Sequence, residues 1–171
     1  MTSSYILTFI GDDQPGLVEQ LSQVVEANGG NWHESRLSQL QGKFAGLVLI
    51  SLPQDAAAAL ESDLKALSAA GLSVRVTPTG NASPTDSGKR CTLTVLGPDR
   101  AGIVREIASA LARRGINVLE MESHVQSAAM SGEMLFNANI AVQVPADTDI
   151  ERLSEALDDI ANQMTLDIDL A

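Results

Sequence analysis

Two short loops combine the residue types that could bind a small zwitterion. The first is Gly-Asp-Asp-Gln-Pro-Gly-Leu-Val from Gly11, and the second is Gly-Pro-Asp-Arg-Ala-Gly-Ile-Val from Gly97. Each loop lies between a predicted strand and a predicted helix, where unpaired backbone N–H groups and the helix dipole favour a carboxylate. Asp13 and Asp99 could pair with an ammonium group. Because an α-amino acid carries both charges on one carbon, the loops predict an amino-acid site.

A second interpretation of the same loops needs no ligand. The acids, Asp12 or Asp13 in the first loop and Asp99 in the second, would be helix N-caps that each stabilise their helix by ~1 kcal/mol. Gly16 and Gly102 would then only permit tight packing. Residue spacing alone leaves both interpretations open.

The two loops are part of an internal duplication. Residues beyond the loops also match at an offset of 86, for example Gly29 with Gly115. Such repetition predicts two domains, over 1–77 and 90–171. The residues between them, 78–89, include no large apolar side chain and are rich in Gly, Ser and Pro, which predicts a linker.

Apolar periodicity predicts the order βαββαβ in each domain. In the first domain, a helix after Asp13 with Pro15 in its first turn, and a second helix over 54–70, alternate with strands over 5–10, 31–40, 44–52 and 72–77. In the second domain, the helices cover 101–114 and 149–163, and the strands cover 91–96, 116–126, 133–144 and 165–170. The first strand is apolar on both faces, which predicts burial on both sides. Matching Phe44 to Phe136 makes the second hairpin six residues longer, at its tip around 127–132.

The strand that follows the first hairpin turn carries a candidate contact surface. Leu47 and Leu49 make its second face apolar, whereas the equivalent strand of the second domain alternates apolar and polar residues. We interpret this difference as a packing surface on the first domain's sheet. Isolated exposed leucines are also common on protein surfaces, which leaves the alternative of no special role.

Composition excludes several classes of function. The chain has 171 residues, of which 44% are apolar, and its net charge of −11 repels a nucleic-acid backbone. A basic, apolar leader and a bilayer-length apolar run are both lacking, so we expect a cytoplasmic protein with no membrane partner. Cys91 is the single cysteine, and His33 and His124 occupy non-equivalent positions. With no metal-ligand spacing and no nucleophile or phosphate-loop motif, we expect no metal, no cofactor and no catalytic residue.

The chain resembles the ACT domain family in both loops and in the turns that follow each first helix, Gly29-Gly30-Asn31-Trp32 and Gly115-Ile116-Asn117-Val118. The resemblance covers nearly the whole chain, twice. It implies an α+β fold of two ferredoxin-like βαββαβ domains, with antiparallel sheets and helices on one face. ACT domains commonly regulate other proteins in response to amino acids, which they hold at an interface between two such domains.

The resemblance also implies a set of ligand-binding positions. In the first domain these are Asp13, Gly16, Leu17 and, at the facing turn, Asn31. In the second they are Asp99, Gly102, Ile103 and Asn117. Two departures stand out: many amino-acid-binding ACT domains have an amide where this chain has its two acids, and Ala101 replaces the proline of the first loop.

A chain of two ACT domains without an attached enzyme most resembles the glycine cleavage system transcriptional repressor group, which acts on a DNA-binding activator by protein contact. The leading hypothesis is therefore a non-enzymatic, homo-oligomeric regulator that senses an amino acid such as glycine and modulates a transcriptional regulator. The alternatives are a ligand-free protein-interaction module and a regulatory subunit of a metabolic enzyme.

Overall fold

The chain folds into two compact units, Met1–Ser83 and Pro84–Ala171. The structure is a computed structural model that describes residues 1–80 and 88–171. Most of the expected linker, residues 81–87, lies outside the described residues, while Pro78 ends a strand and Gly88 begins one. The domain limits at 77 and 90 stay a prediction. No helix in the described part of the chain has the length and apolarity needed to cross a membrane.

Each unit has the predicted order of elements. The first contains β1 (Thr2–Asp12), α1 (Leu17–Ala27), β2 (Asn31–Leu40), β3 (Lys43–Pro53), α2 (Ala57–Ala66) with a 3₁₀ turn at Leu67–Ala70, and β4 (Ser73–Pro78). The second contains β5 (Gly88–Pro98), α3 (Ile103–Ala112), β6 (Asn117–Ser127), β7 (Met134–Pro145), α4 (Ile150–Met164) and β8 (Asp167–Leu170). The predicted helix over 54–70 is shorter than expected, since its last turn is 3₁₀.

Both sheets have four antiparallel strands in the same order, β2-β3-β1-β4 and β6-β7-β5-β8. In each unit, one face of the sheet and the apolar sides of both helices form a single buried cluster. No polar side chain is buried among the described residues. The predicted α+β, ferredoxin-like βαββαβ fold is therefore confirmed in both units.

The first strand differs from its prediction in one respect. β1 is central in its sheet, yet only the face that bears Leu7 and Phe9 is buried. On the opposite face Ile10 is 49% exposed, because both helices cover the same side of the sheet. Apolar residues on both faces of this strand therefore indicate an uncovered apolar surface rather than a second core.

The second hairpin is six residues longer, as the sequence predicts, but only four of the extra residues lie in the connection, since β6 and β7 are each one residue longer than β2 and β3. Gln41 and Gly42 connect β2 to β3 with φ values of 50° and 78°, the left-handed pair typical of a two-residue hairpin turn. The second hairpin has a six-residue connection between Ser127 and Met134, at whose tip Met130 is fully exposed.

The start of α4 generates a test of local stability. Asp149 precedes this helix, and its Oδ1 accepts bonds from the backbone N–H groups of Glu151 (3.0 Å) and Arg152 (3.4 Å). Asp149→Ala should lower the free energy of unfolding of the second unit by ~1 kcal/mol, the usual value of an N-cap.

Urea denaturation can assign this loss to one unit, because the single tryptophan, Trp32, lies in the first. The circular-dichroism transition of Asp149→Ala should move to lower urea while the Trp32 fluorescence transition stays in place. Asp13→Ala is the matched control, since Asp13 caps no helix, and should change stability by less than ~0.5 kcal/mol. Equal losses in the two variants would contradict this assignment of caps.

Candidate ligand loops

A glycine in the left-handed region joins the first strand to the first helix of each unit. Gly16 has φ 93° and ψ −1°, and Gly102 has φ 85° and ψ 0°. L-residues adopt this conformation at a cost, so the backbone angle itself requires glycine. A Cβ at Gly16 would meet no atom within 4 Å, and one at Gly102 would meet only the tip of Arg105 at 3.9 Å. The space in front of both glycines is therefore open.

The two glycines, rather than the acids, occupy the N-cap positions, and no side chain caps α1 or α3. The prediction that Asp13 and Asp99 cap these helices is wrong. Each acid lies three residues before its glycine, and its backbone N–H instead bonds the neighbouring hairpin, at Gly42 O (2.9 Å) and Met134 O (2.8 Å). The carboxylates of Asp13 and Asp99 are exposed, at the base of each loop.

The first turns of these helices retain backbone donors. The first helical bonds run from Gln20 N to Gly16 O (2.9 Å) and from Glu106 N to Gly102 O (3.0 Å). The N–H groups of residues 17–19 and 103–105 therefore come before the first helical hydrogen bond. Of these six groups, Ile103 N has a long bond to Arg100 O, at 3.4 Å. Such groups, with the positive end of the dipole, favour a small anion.

Leu17 and Ile103 contribute to these loops only through the backbone. Each side chain is 4% exposed and belongs to the core cluster of its unit. Their apolar side chains fix the first turn of each helix against the sheet. A ligand at the loop can contact their N–H groups but not their side chains.

Asn31 and Asn117 do not lie beside the loop of their own unit. On β3, the partner of Gly11 is Phe44 and the partner of Asn31 is Ser51. Ser51 lies seven positions after Phe44 along β3, which separates Asn31 from the loop by roughly 23 Å at ~3.3 Å per residue. The second unit has the same register, and Asn117 there lines a separate surface hollow of about 420 Å³. The four residues expected to share a site thus form two groups at opposite ends of each sheet.

The two loops have different ion pairs: Lys43 of β3 pairs with Asp12 in the first, and Arg100 pairs with Glu106 of α3 in the second. Arg100 donates two bonds to the Glu106 carboxylate, at 3.1 and 2.7 Å. These bonds lower the pKa of Glu106 and raise the pKa of Arg100. The equivalent residues at the 86-residue offset are the uncharged Gln14 and Gln20. The pair was not predicted from the sequence, although the 86-residue offset places two oppositely charged residues of the second loop against two glutamines of the first.

The outer face of the first sheet contains a small apolar hollow of about 200 Å³. Ile6, Leu47 and Leu49 line it, together with Glu34 and Arg36 of β2, and Leu47 is 50% exposed. The equivalent positions of the second unit, at the offsets of 86 and 92, are Thr92, Asn139 and Ala141. The apolar face is thus a property of the first unit.

The Arg100–Glu106 pair predicts a pH-dependent difference between the loops. Arg100→Gln should raise the pKa of Glu106 towards its ordinary value, which NMR titration of the Glu106 carboxyl would measure. Because the folded pKa is lowered, the bond stabilises the fold above the unfolded pKa of Glu and is lost as the pH falls through the folded value. The stability difference between wild type and Arg100→Gln should therefore be present at neutral pH and vanish in acid.

Gln14→Ala in the first loop is the matched control, since its effect should not vary with pH. A Glu106 pKa that is the same in wild type and Arg100→Gln would contradict the role assigned to the pair.

Two comparisons with known proteins agree with this fold, and no curated protein matches the chain. Among solved structures, one described as an unknown protein from Galdieria sulphuraria is 30% identical, with a TM-score of 0.82 over 99% of this chain and 98% of that chain. A structure provisionally named a glycine cleavage system transcriptional repressor is 20% identical, with a TM-score of 0.77 over 100% of this chain and 97% of that chain. At that identity the second likeness shows the fold alone.

Sequence profiles of the ACT domain match the two units separately. One matches residues 4–77 and the other residues 92–162. Both matches include the glycine loop, the first helix and the hairpin described above. The chain therefore belongs to the ACT domain family and carries two ACT domains in tandem.

Proposed function

We propose that this protein is a non-enzymatic, cytoplasmic regulator that binds a small amino acid at its glycine loops and acts by contact on a transcriptional regulator. The observation that carries the proposal is the pair of helix N-termini that no side chain caps, each behind open space at a left-handed glycine. Their occurrence in both ACT domains supports a shared ligand chemistry.

The two charges of an amino acid match the two features of each loop. Its carboxylate would accept bonds from the N–H groups at the start of α1 or α3, where the helix dipole is positive. Its ammonium group would face the exposed carboxylate of Asp13 or Asp99. Many other ACT domains have an amide where this chain has Asp13 or Asp99. An acid at this position fits a ligand whose ammonium group points towards it.

Asn31 and Asn117 could complete such a site only from outside the loop's own unit. Their distance from that loop, roughly 23 Å along the sheet at ~3.3 Å per residue, excludes a contact within one unit. Another ACT domain would have to supply them, and we propose that a second copy of the chain does so, in a homo-oligomer.

Contact with a protein, rather than with DNA, fits the charge of the chain. A net charge of −11 opposes binding to a phosphate backbone. The apolar outer face at Leu47 and Leu49 offers a surface for a protein partner. The fold shared with a structure provisionally named a glycine cleavage system transcriptional repressor makes glycine the first ligand and a transcriptional activator the first partner to test.

Thermal denaturation with glycine tests the sensor function. A ligand at 100 times its Kd adds ~2.7 kcal/mol of stability, so glycine should raise the Tm, whereas acetate and methylamine, which each carry one of its charges, should not. Asp13→Asn/Asp99→Asn should abolish the rise because the ammonium partner is lost. Asp55→Asn, at an exposed acid outside the loops, is the matched control. A Tm unchanged by glycine and by the other amino acids at millimolar concentration would contradict sensing.

The surface at Leu47 tests the partner contact. Leu47→Asp places a charge on the exposed apolar face and should abolish transcriptional regulation in cells whose own copy is deleted, while Asn139→Asp at the equivalent position should preserve it. Asp13→Asn/Asp99→Asn should instead leave regulation present but unresponsive to glycine. Regulation that does not respond to glycine in either wild type or the double variant, and that Leu47→Asp still abolishes, would favour the ligand-free interaction module.

A further inference from the structure

A groove between α3 and α4 of the second unit differs in character from the loops. It has a volume of about 580 Å³ and one strongly basic wall, formed by Arg105, Arg113 and Arg114. Ala110, Ile160 and Met164 give it apolar lining. The groove lies on the helical side of the unit, away from the outer face of the sheet.

The positive charge of this wall is only partly balanced within the unit, since Arg105 lies close enough to Glu106 to lower the pKa of that carboxyl. Arg100 already binds Glu106, which leaves Asp159 as the other acid that lines the groove. Among the described residues, no carboxylate forms an ion pair with Arg105, Arg113 or Arg114. Three cations therefore face one free carboxylate, in a chain whose net charge is −11.

Comparison with the first unit shows that the fold does not require this wall. At the 86-residue offset, Arg105, Arg113 and Arg114 correspond to Glu19, Ala27 and Asn28.

In the first unit a polar contact links the two helices instead. Asn28 Nδ2 at the end of α1 donates to Asp63 Oδ2 on α2 at 2.9 Å, and Val24 packs against the core. Charge reversal at one position and two added arginines thus distinguish the second unit on an otherwise shared scaffold.

The spacing of the arginines indicates an elongated ligand. Arg105 and Arg113 are eight residues apart, which places them about 12 Å apart along the helix axis at 1.5 Å per residue. One small anion cannot bridge that distance. Acidic residues four positions apart on a helix repeat about every 6 Å, so three of them in a row match the length of the basic wall.

The apolar lining favours a protein helix over a nucleic acid. Ile160 and Met164 are half-buried and offer contacts to apolar side chains on the same face as the acids. A phosphate backbone could pair with the arginines but carries no apolar group to cover these side chains, whereas an amphipathic helix presents acids and apolar side chains together. We propose that the α3–α4 groove binds an acidic, amphipathic helix of a partner protein, a proposal that rests on the protein-contact part of the proposed function.

A designed peptide tests this groove directly in the full chain. The probe is a fluorescein-labelled helical peptide of about 12 residues, with Glu at every fourth position and Leu beside each Glu. Fluorescence anisotropy should show binding to wild type that weakens as the ionic strength rises, because salt screens exposed charges. A peptide with Gln in place of Glu should bind at least tenfold more weakly.

Two variants of equal net charge locate the binding. Arg105→Glu/Arg113→Glu reverses the wall and should weaken binding at least tenfold, and the milder Arg105→Gln/Arg113→Gln should have an intermediate effect. Lys65→Glu/Arg152→Glu changes the charge equally on helices α2 and α4 but outside the groove, and should bind as wild type does. Circular dichroism checks that each variant is folded.

Several results would overturn the proposal. These are the absence of binding to wild type, equal weakening in the two Glu variants, and equal binding of the Gln peptide. Binding of a single-stranded oligonucleotide that is lost in Arg105→Glu/Arg113→Glu would assign the groove to nucleic acid, and displacement of the peptide by inorganic triphosphate at equal concentration would assign it to a small anion. The assay uses no free amino acid and no transcriptional readout. Its failure can therefore be distinguished from failure of the proposed function.

Discussion

The left-handed glycine at the start of the first helix determines what each ACT domain can present to a ligand. Because Gly16 and Gly102 turn the chain with φ near 90°, the preceding acid is displaced from the N-cap and the first helical N–H groups face open space. Leu17 and Ile103, buried one residue later, hold this geometry against the core. An Asp cap at the same place would have bonded to some of those donors, as Asp149 bonds to the N–H groups of Glu151 and Arg152 at the start of α4.

Duplication has preserved this constraint while the surfaces around it have diverged. The backbone angles and strand register of the two loops agree closely, yet their ion pairs differ: Asp12 pairs with Lys43 of β3 in the first, and Arg100 pairs with Glu106 of α3 in the second. The first unit has an apolar sheet face at Leu47, and the second has a basic helix groove at Arg105. A common scaffold with different outer surfaces is suited to a protein whose two halves bind similar ligands but contact different partners.

The sequence predicted the fold more completely than the site, for physical reasons that individual residues illustrate. Strand and turn positions follow from short-range rules, as at Gln41 and Gly42, where two left-handed residues suit a tight hairpin. The cap assignment of Asp13 was wrong because a residue three positions later, Gly16, determined where the helix begins. The separation of Asn31 from its loop depends on strand register, which the motif alone does not contain.

The groove shows another limit of the sequence. The offset comparison reveals that Arg105 replaces Glu19, but whether the helices leave space between them depends on packing across the unit. For the same reason, the apolar residues on both faces of β1 were interpreted as evidence for a doubly buried strand. Only the position of both helices on one side of the sheet identifies Ile10 as exposed.

Amide NMR during a glycine titration tests most directly whether the uncapped helix N-termini bind an amino acid. The account predicts saturable shifts concentrated at the N–H groups of residues 16–19 and 102–105, with little change at the first turn of α4, where Asp149 already occupies the cap. Shifts absent from both loops, or equally large at the start of α4, would contradict it.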